Sequence, residues 1–223
     1  MQKHIFLDIG NTNTKWKVQD EYFVLPTENF EFDKLLDSSK IWVSNVSEKI
    51  FNFKKPYVCI VESQKKYKSL INAYRKPKSL GSDRWLGMIA AYEKSKDNNF
   101  IVIDVGSAIT IDLVNKSGMH LGGVIIPGLE KIRQTFNNFL ISSDESIIGL
   151  GKSTEEAWTI GTFSMIPSTI NLKIKELRVA MPDAIIYITG GGYSKIREFL
   201  EFDHNHSKNL VLDGLEFYAD SMR

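Results

Sequence analysis

The chain has 223 residues, of which 43% are hydrophobic and 25% charged, the balance of a folded globular protein rather than a disordered or collagen-like one. Its 28 basic and 27 acidic residues leave a net charge of +1, which gives no whole-protein attraction to nucleic acid or to an anionic membrane. The single cysteine, Cys59, excludes an internal disulfide and a zinc cluster, and in the apolar run Tyr57–Val61 it reads as core filler.

The opening MQKHIFLDIG has no long apolar stretch and no small-residue cleavage site, so no secretion signal is expected. No run of about 18 apolar residues follows anywhere, so no membrane span is expected, and the cytoplasm is the default location. His4–Asp8 reads as an apolar strand running into a turn at Gly10–Asn13. Lys15–Val18 returns as a half-buried strand, with Trp16 and Val18 alternating with Lys15 and Lys17. Tyr22–Leu25, Ile41–Ser44 and Tyr57–Glu62 are further strand candidates. Gln64–Tyr74 is expected to be helical, with Pro77 as its stop and Lys65, Lys66, Lys68, Arg75, Lys76 and Lys78 on a solvated basic face. Ser82 reads as the N-cap of a helix over Asp83–Lys94, with Trp85, Met88, Ile89 and Tyr92 on one side.

The polar stretch Ser95–Asn99 divides the chain into two expected units, residues 1–98 and 99–223. Phe100–Asp104, a turn at Val105–Ala108, Ile109–Val114, a hairpin turn at Asn115–Gly118 and His120–Ile126 repeat the opening pattern. Pro127-Gly128 ends that run, and Leu129–Leu140 is expected as an amphipathic helix, with Ile132, Phe136 and Phe139 as core or dimer contacts. Ser153-Thr154-Glu155-Glu156 matches a capping box, and Pro167 is expected to kink or break the helix it starts. A separate helix is expected over Thr169–Val179. Ala184–Thr189 reads as a buried strand leading into Gly190–Gly192 and a helix over Tyr193–Phe202, and Asn209–Leu212 as a last strand before a short terminal helix.

One constant offset lays Asp8 on Asp104, Gly10 on Gly106, Thr14 on Thr110 and Val18 on Val114. Two strand–turn–strand units, each with Asp-x-Gly at the turn, therefore open the two halves, as in a duplicated domain with a cleft between its copies. A nucleotide tail needs close backbone approach, N–H and hydroxyl donors, and a carboxylate to hold its magnesium. The turn Asp8-Ile9-Gly10-Asn11-Thr12-Asn13-Thr14-Lys15 offers all of these, and Ser107 and Thr110 repeat the hydroxyls on the other wall. A plain hairpin is the alternative, against which stands a carboxylate closing an otherwise apolar strand. Neither a P-loop nor a Gly-x-Gly-x-x-Gly follows a strand.

Gly81-Ser82-Asp83-Arg84 sets a carboxylate beside a guanidinium at a helix start. That pair can read as a base and anchor for a small anionic alcohol, but from the residues alone an ordinary surface pair at a helix start is the preferred reading. Arg84 and the helix dipole are expected to keep Asp83 ionised, with a low pKa.

Five segments, in order, resemble the type III pantothenate kinases of the acetate kinase, sugar kinase and actin superfamily: DIGNTNTK at Asp8–Lys15, Tyr74 with LGSDR at Leu80–Arg84, DVGSAIT at Asp104–Thr110, GGVIIPG at Gly122–Gly128, and GGG at Gly190–Gly192. Ser107 stands where that family usually has threonine, and the hydroxyl is kept. The resemblance implies an α/β fold of two actin/ribonuclease H-like subdomains, each a mixed sheet flanked by helices, with a cleft between them. It implies transfer of the γ-phosphoryl of ATP to pantothenate to give 4′-phosphopantothenate, the entry to coenzyme A.

It further implies that Asp8, Ile9, Gly10, Asn11, Thr12, Asn13, Thr14, Lys15 and Ser107 line ATP, with Asp8 near magnesium. Asp83 would accept the proton of the pantothenate hydroxyl, and Tyr74, Gly81, Ser82, Asp83, Arg84 and Thr154 would bind pantothenate. Asp104 would hold a monovalent cation, potassium or ammonium, and the protein would be a homodimer. The alternatives are a nucleotide-binding regulator of the same fold, like the transcriptional accessory factors, and a kinase for another small alcohol. His204 and His206 lack a third ligand in sequence, and His4 and His120 read as ordinary strand-start residues.

Overall fold

A computed structural model describes residues 4–35, 40–53, 55–136, 138–143 and 148–222. The first half forms β1 (His4–Ile9), β2 (Asn13–Val18), β3 (Glu21–Pro26), β4 (Lys40–Asn45) and β5 (Val58–Ile60), in the spatial order β3-β2-β1-β4-β5. A small hairpin of β6 (Lys66–Tyr67) and β7 (Leu70–Ile71) precedes helix α1 (Ser82–Ser95). The second half forms β8 (Phe100–Val105), β9 (Ala108–Val114) and β10 (His120–Pro127), then α2 (Leu129–Arg133) and α3 (Thr154–Ala180). It closes with β11 (Ile185–Thr189), α4 (Tyr193–Ile196), β12 (Asn205–His206) and α5 (Leu210–Ser221). The second sheet has the order β10-β9-β8-β11-β12, the topology of the first over again. In each, an antiparallel meander is extended by two parallel strands.

The pleat sorts each central strand onto two faces. In β1, Ile5, Leu7 and Ile9 face an outer cluster with Phe30 and Phe32. Phe6 faces inward with Trp42, and in β8 Phe100 and Val102 do the same. Between these inner faces lie α1 and α5, bringing Trp85, Leu86, Met88 and Ile89 together with Leu210, Leu212 and Leu215. Ile101, Ile103 and Val105 face the opposite way, onto Phe163, Ile166, Ile170 and Ile174 of α3. The chain is thus layered as sheet, helix pair, sheet and outer helix. The C-terminal α5 packs on β1, β2 and β4, where Glu216 meets Lys17 at 2.6 Å.

Several local expectations change. Residues 64–74 form the β6–β7 hairpin rather than a helix, so the basic cluster is not a helical face. The turn places Lys68 at φ +49°, and it buries Tyr67 and Leu70. The segment docks by a strand-like bond, Ile71 N donating to Gly118 O at 2.8 Å. The N-cap of α1 is Gly81; Ser82 is its first residue and bonds Ser44 through their hydroxyls at 2.9 Å. Helix α2 ends at Arg133, because Phe136, Phe139 and Trp158 pack on one another instead of on a sheet. Residue 137 of the expected longer helix lies outside the described residues.

Helix α3 runs unbroken through Pro167. Losing one backbone bond costs about 3 kcal/mol, which the burial of Phe163, Ile166, Ile170 and Ile174 offsets. The expected helix over Tyr193–Phe202 shortens to α4 and a 3-10 turn at Arg197–Phe199. Asn209–Leu212 is no strand: Leu210–Leu212 open α5, whose buried face needs helical spacing to meet α1. Phe51 and Phe53 stack at 5.7 Å over the outer cluster.

Candidate active site

The pleat that turns Phe6 and Val102 inward does the same for Asp8 and Asp104, two residues on. Both carboxylates therefore sit at the ends of the two inner faces. The helix layer between those faces begins at that level with α1, whose second residue is Asp83. Asp8, Asp83 and Asp104 line one cleft of about 640 Å³, together with Gly10, Asn11, Thr12, Asn13, Lys15 and Ser107. Thr12 Oγ1 and Ser107 Oγ lie 2.6 Å apart, so the two Asp-x-Gly turns meet across it.

The two turns differ by one residue. Asp8 stands opposite Lys15 in the β1–β2 register, whereas Asp104 stands opposite Thr110. Thr14 pairs Ile9 instead, so the Thr14–Thr110 match of the sequence repeat does not survive in three dimensions. The extra residue in the first turn brings a lysine onto the face beside Asp8. Ile9 and Thr14 are fully buried behind the turn, Thr14 Oγ1 lying 3.0 Å from Thr27 Oγ1. Any contact they make with a ligand runs through backbone.

Burial and mutual repulsion dominate the electrostatics. Burial, then the Asp83 charge, pushes the Asp8 carboxyl up to about 7 against the pull of Lys15. The same causes push Asp104 up to about 6. Asp83 is also raised, by burial, even though the Arg84 amide donates to its Oδ1 at 2.7 Å and the Arg84 charge lowers it. The expectation of a low Asp83 pKa therefore fails: desolvation outweighs the arginine and the helix start. A carboxylate shifted this way is a better proton acceptor.

Asp8 Oδ1 is buried and accepts no hydrogen bond. An orphaned carboxylate oxygen facing a cleft fits a hydrated cation. Among the described residues no three His, Cys, Asp or Glu side chains could hold a metal by themselves. At Asp104, a Cβ on Gly190 (φ +99°) would come 2.5 Å from Oδ1, so glycine is what lets the β11 turn pass this carboxylate.

Gly81, Ser82, Arg84 and Tyr74 lie behind Asp83 and do not line that cleft. Arg84 binds Asp112 through two bonds, Nε to Oδ2 at 2.9 Å and Nη2 to Oδ1 at 2.6 Å, and its Nη1 donates to Tyr74 Oη at 2.9 Å. Asp112 escaped the sequence reading, and His120 read there as an ordinary strand-start residue. Their available signal was a carboxylate inside the apolar strand Ile109–Val114, the same cue that marked Asp8. Thr154 is exposed at the head of α3, outside the cleft. His204 Nε2 meets Tyr193 Oη at 3.0 Å, and His206 stacks on the Tyr193 ring at 3.9 Å.

A family model described as type III pantothenate kinase matches residues 19–176. A protein of Alcanivorax borkumensis named type III pantothenate kinase is 30% identical over 241 residues, covering 96% of this chain and 98% of its own. A solved structure from Campylobacter jejuni, described as a conserved Baf family transcriptional activator, superposes with a TM-score of 0.65 at 26% identity over 98% of each chain. A 2-dehydro-3-deoxygalactonokinase structure from Sinorhizobium meliloti superposes with a TM-score of 0.58 at 10% identity, covering 98% of this chain and 99% of that one. The paired mixed sheets flanked by helices are those of the actin-like and sugar kinase fold.

Proposed function

The chain belongs to the type III pantothenate kinase family, and from that premise we propose how its residues divide the work of the reaction. The activity is that of an ATP-dependent kinase: the γ-phosphoryl of ATP passes to pantothenate and opens coenzyme A biosynthesis. The observation that carries the residue roles is the convergence of Asp83 with both hairpin aspartates and Lys15 on one cleft.

In this reading the turn Asp8–Lys15 cradles the phosphates, Gly10 and Asn11 giving close backbone approach and Thr12 and Ser107 their hydroxyls. Lys15 neutralises phosphate charge. Asp83 accepts the proton of the primary hydroxyl, whose oxygen attacks phosphorus in line as the bond to ADP breaks. Tyr74, Gly81, Ser82 and Arg84 shape the pantothenate side. Asp8 would hold magnesium, and Asp104 a monovalent cation, potassium or ammonium; bound there, these ions supply positive charge to the transferring group. No helix among the described residues is long and apolar enough to cross a membrane, and with two charged metabolites as substrates we place the protein in the cytoplasm.

A homodimer belongs to the same reading. Met165, Leu172 and Val179 recur every seven residues on α3 and are 53%, 59% and 84% exposed. Such a stripe suits a second copy of the helix. Thr154 heads that helix, so its assigned contact with pantothenate goes with the dimer. Leu172→Glu should convert a dimer to a monomer in light scattering; an unchanged mass removes this surface.

The Campylobacter jejuni likeness motivates a second reading, a nucleotide-binding regulator that transfers nothing. Retention of Asp83, Arg84 and Tyr74 favours the kinase. A coupled ADP-release assay with and without pantothenate decides: the kinase releases ADP only with pantothenate, and more with potassium than with sodium. Absent or pantothenate-independent release overturns the reading.

A further inference from the structure

Behind Asp83 lies a buried cluster of charged side chains, Arg84, Asp112 and His120. Asp112 on β9 and His120 at the start of β10 have side chains 1% and 0% exposed, and Arg84 only 5%. His120 Nε2 lies 2.9 Å from Asp112 Oδ1, and Ala73 N donates to His120 Nδ1 at 3.5 Å. The Ala73 amide makes Nδ1 the acceptor, so Nε2 carries the hydrogen and donates to Asp112. The His120 ring also stacks on Tyr74, with centroids 6.1 Å apart and planes at 12°. A chain of bonds thus runs from the Ala73 amide through His120, Asp112 and Arg84 to the Tyr74 hydroxyl.

We propose that Asp112 and His120 are positioning residues for the phosphoryl acceptor, acting through Arg84 on Tyr74 and on the first turn of α1 that carries Asp83. The inference rests on the assignment of Asp83, Arg84 and Tyr74 to the acceptor side. The two bonds from Asp112 fix the guanidinium plane, and the third from Arg84 aims the Tyr74 hydroxyl. The Arg84 backbone amide is the one that holds Asp83 Oδ1, so orienting this residue orients the proton acceptor. The opposing strand leaves room for the pair: a Cβ on Gly123 would come 2.2 Å from Asp112 Oδ1 and 2.7 Å from Arg84 Nη2. Neither Asp112 nor His120 lines the cleft, and so neither touches the nucleotide.

Steady-state kinetics of the full chain test this, with Asp112→Asn, His120→Leu, His120→Gln and Asp83→Asn compared. Asp112→Asn should raise the KM for pantothenate about tenfold or more and lower kcat, with the KM for ATP within about twofold of wild type. His120→Leu should raise the pantothenate KM roughly threefold to tenfold; His120→Gln, which keeps a donor for Asp112, should recover most of it. A purely structural role would lower thermal stability and the active fraction while leaving the pantothenate KM of the folded enzyme unchanged. Should Asp112→Asn fail to fold, the two His120 variants decide. Wild-type pantothenate KM in both His120 variants overturns the proposal. Full turnover in Asp83→Asn overturns instead the acceptor assignment on which it rests.

Discussion

The two Asp-x-Gly hairpins share a topology but differ in the side chains that stand beside their aspartates. Around Asp8, the first places Lys15 across one strand pair and Ser44 across the other; around Asp104, the second places Thr110 and Thr189. Both carboxylates are raised by burial and by Asp83, yet only the first has a cation facing it on its own hairpin. One additional residue in the first turn makes this difference, because it shifts which side chain stands opposite the aspartate. A duplicated scaffold can thus acquire two unlike walls without altering its strand order.

Removing the group that both hairpins feel is the sharpest way to probe that asymmetry. Asp83→Asn should lower kcat by about 10²–10⁴-fold while the fold persists, since a neutral amide suits this buried site better than a charge. A smaller drop would mean that neither hairpin depends on Asp83 for proton transfer. Next, Lys15→Met should raise the KM for ATP and lower kcat/KM by about 10–100-fold, whereas Ser107→Ala on the opposite wall should change it less than about fivefold. Equal effects would erase the distinction between the walls. Asp104→Asn should abolish the gain from potassium over sodium, and Asp8→Asn should instead raise the magnesium requirement, both read in the same assay.

The pH dependence is gentler. In the folded, ligand-free chain Asp8 and Asp104 titrate near 7 and near 6, and in the unfolded chain near 3.8. Between those values the folded state binds more protons, so stability is fully present below about pH 3.8 and is lost as pH rises through 6 and 7. Melting temperature without ligands should therefore fall between pH 5 and 8 on this account, and Asp83→Asn should flatten the slope. The smallest effect belongs to Thr12→Val, which removes the 2.6 Å contact between the turns and should change the KM for ATP less than about threefold.

Much of the site was legible because it rests on local pattern. Asp8 and Asp104 each end an apolar strand before a glycine turn, and a charge in that place needs a function or a partner. Asp83 was singled out by its place beside Arg84 and by the family resemblance, and only its expected low pKa fails: the Arg84 side chain turns back to Asp112, and burial wins. Asp112 went unread and His120 read as an ordinary strand-start residue, because the residues that make sense of them, Arg84 and Tyr74, are supplied by helix α1 and the loop before it.

By itself the sequence determined the strands of both sheets except the short edge strand β12, their repetition and the chemistry at the turns, since alternation and glycine placement act within a few residues. Tertiary packing decided the rest. It made residues 64–74 a hairpin, carried α3 across Pro167, and folded the last apolar run into a helix on the first sheet. Each of these is a contest between a weak local preference, of order 1–3 kcal/mol, and the burial of several large side chains, and the outcome depends on which surface the fold brings opposite.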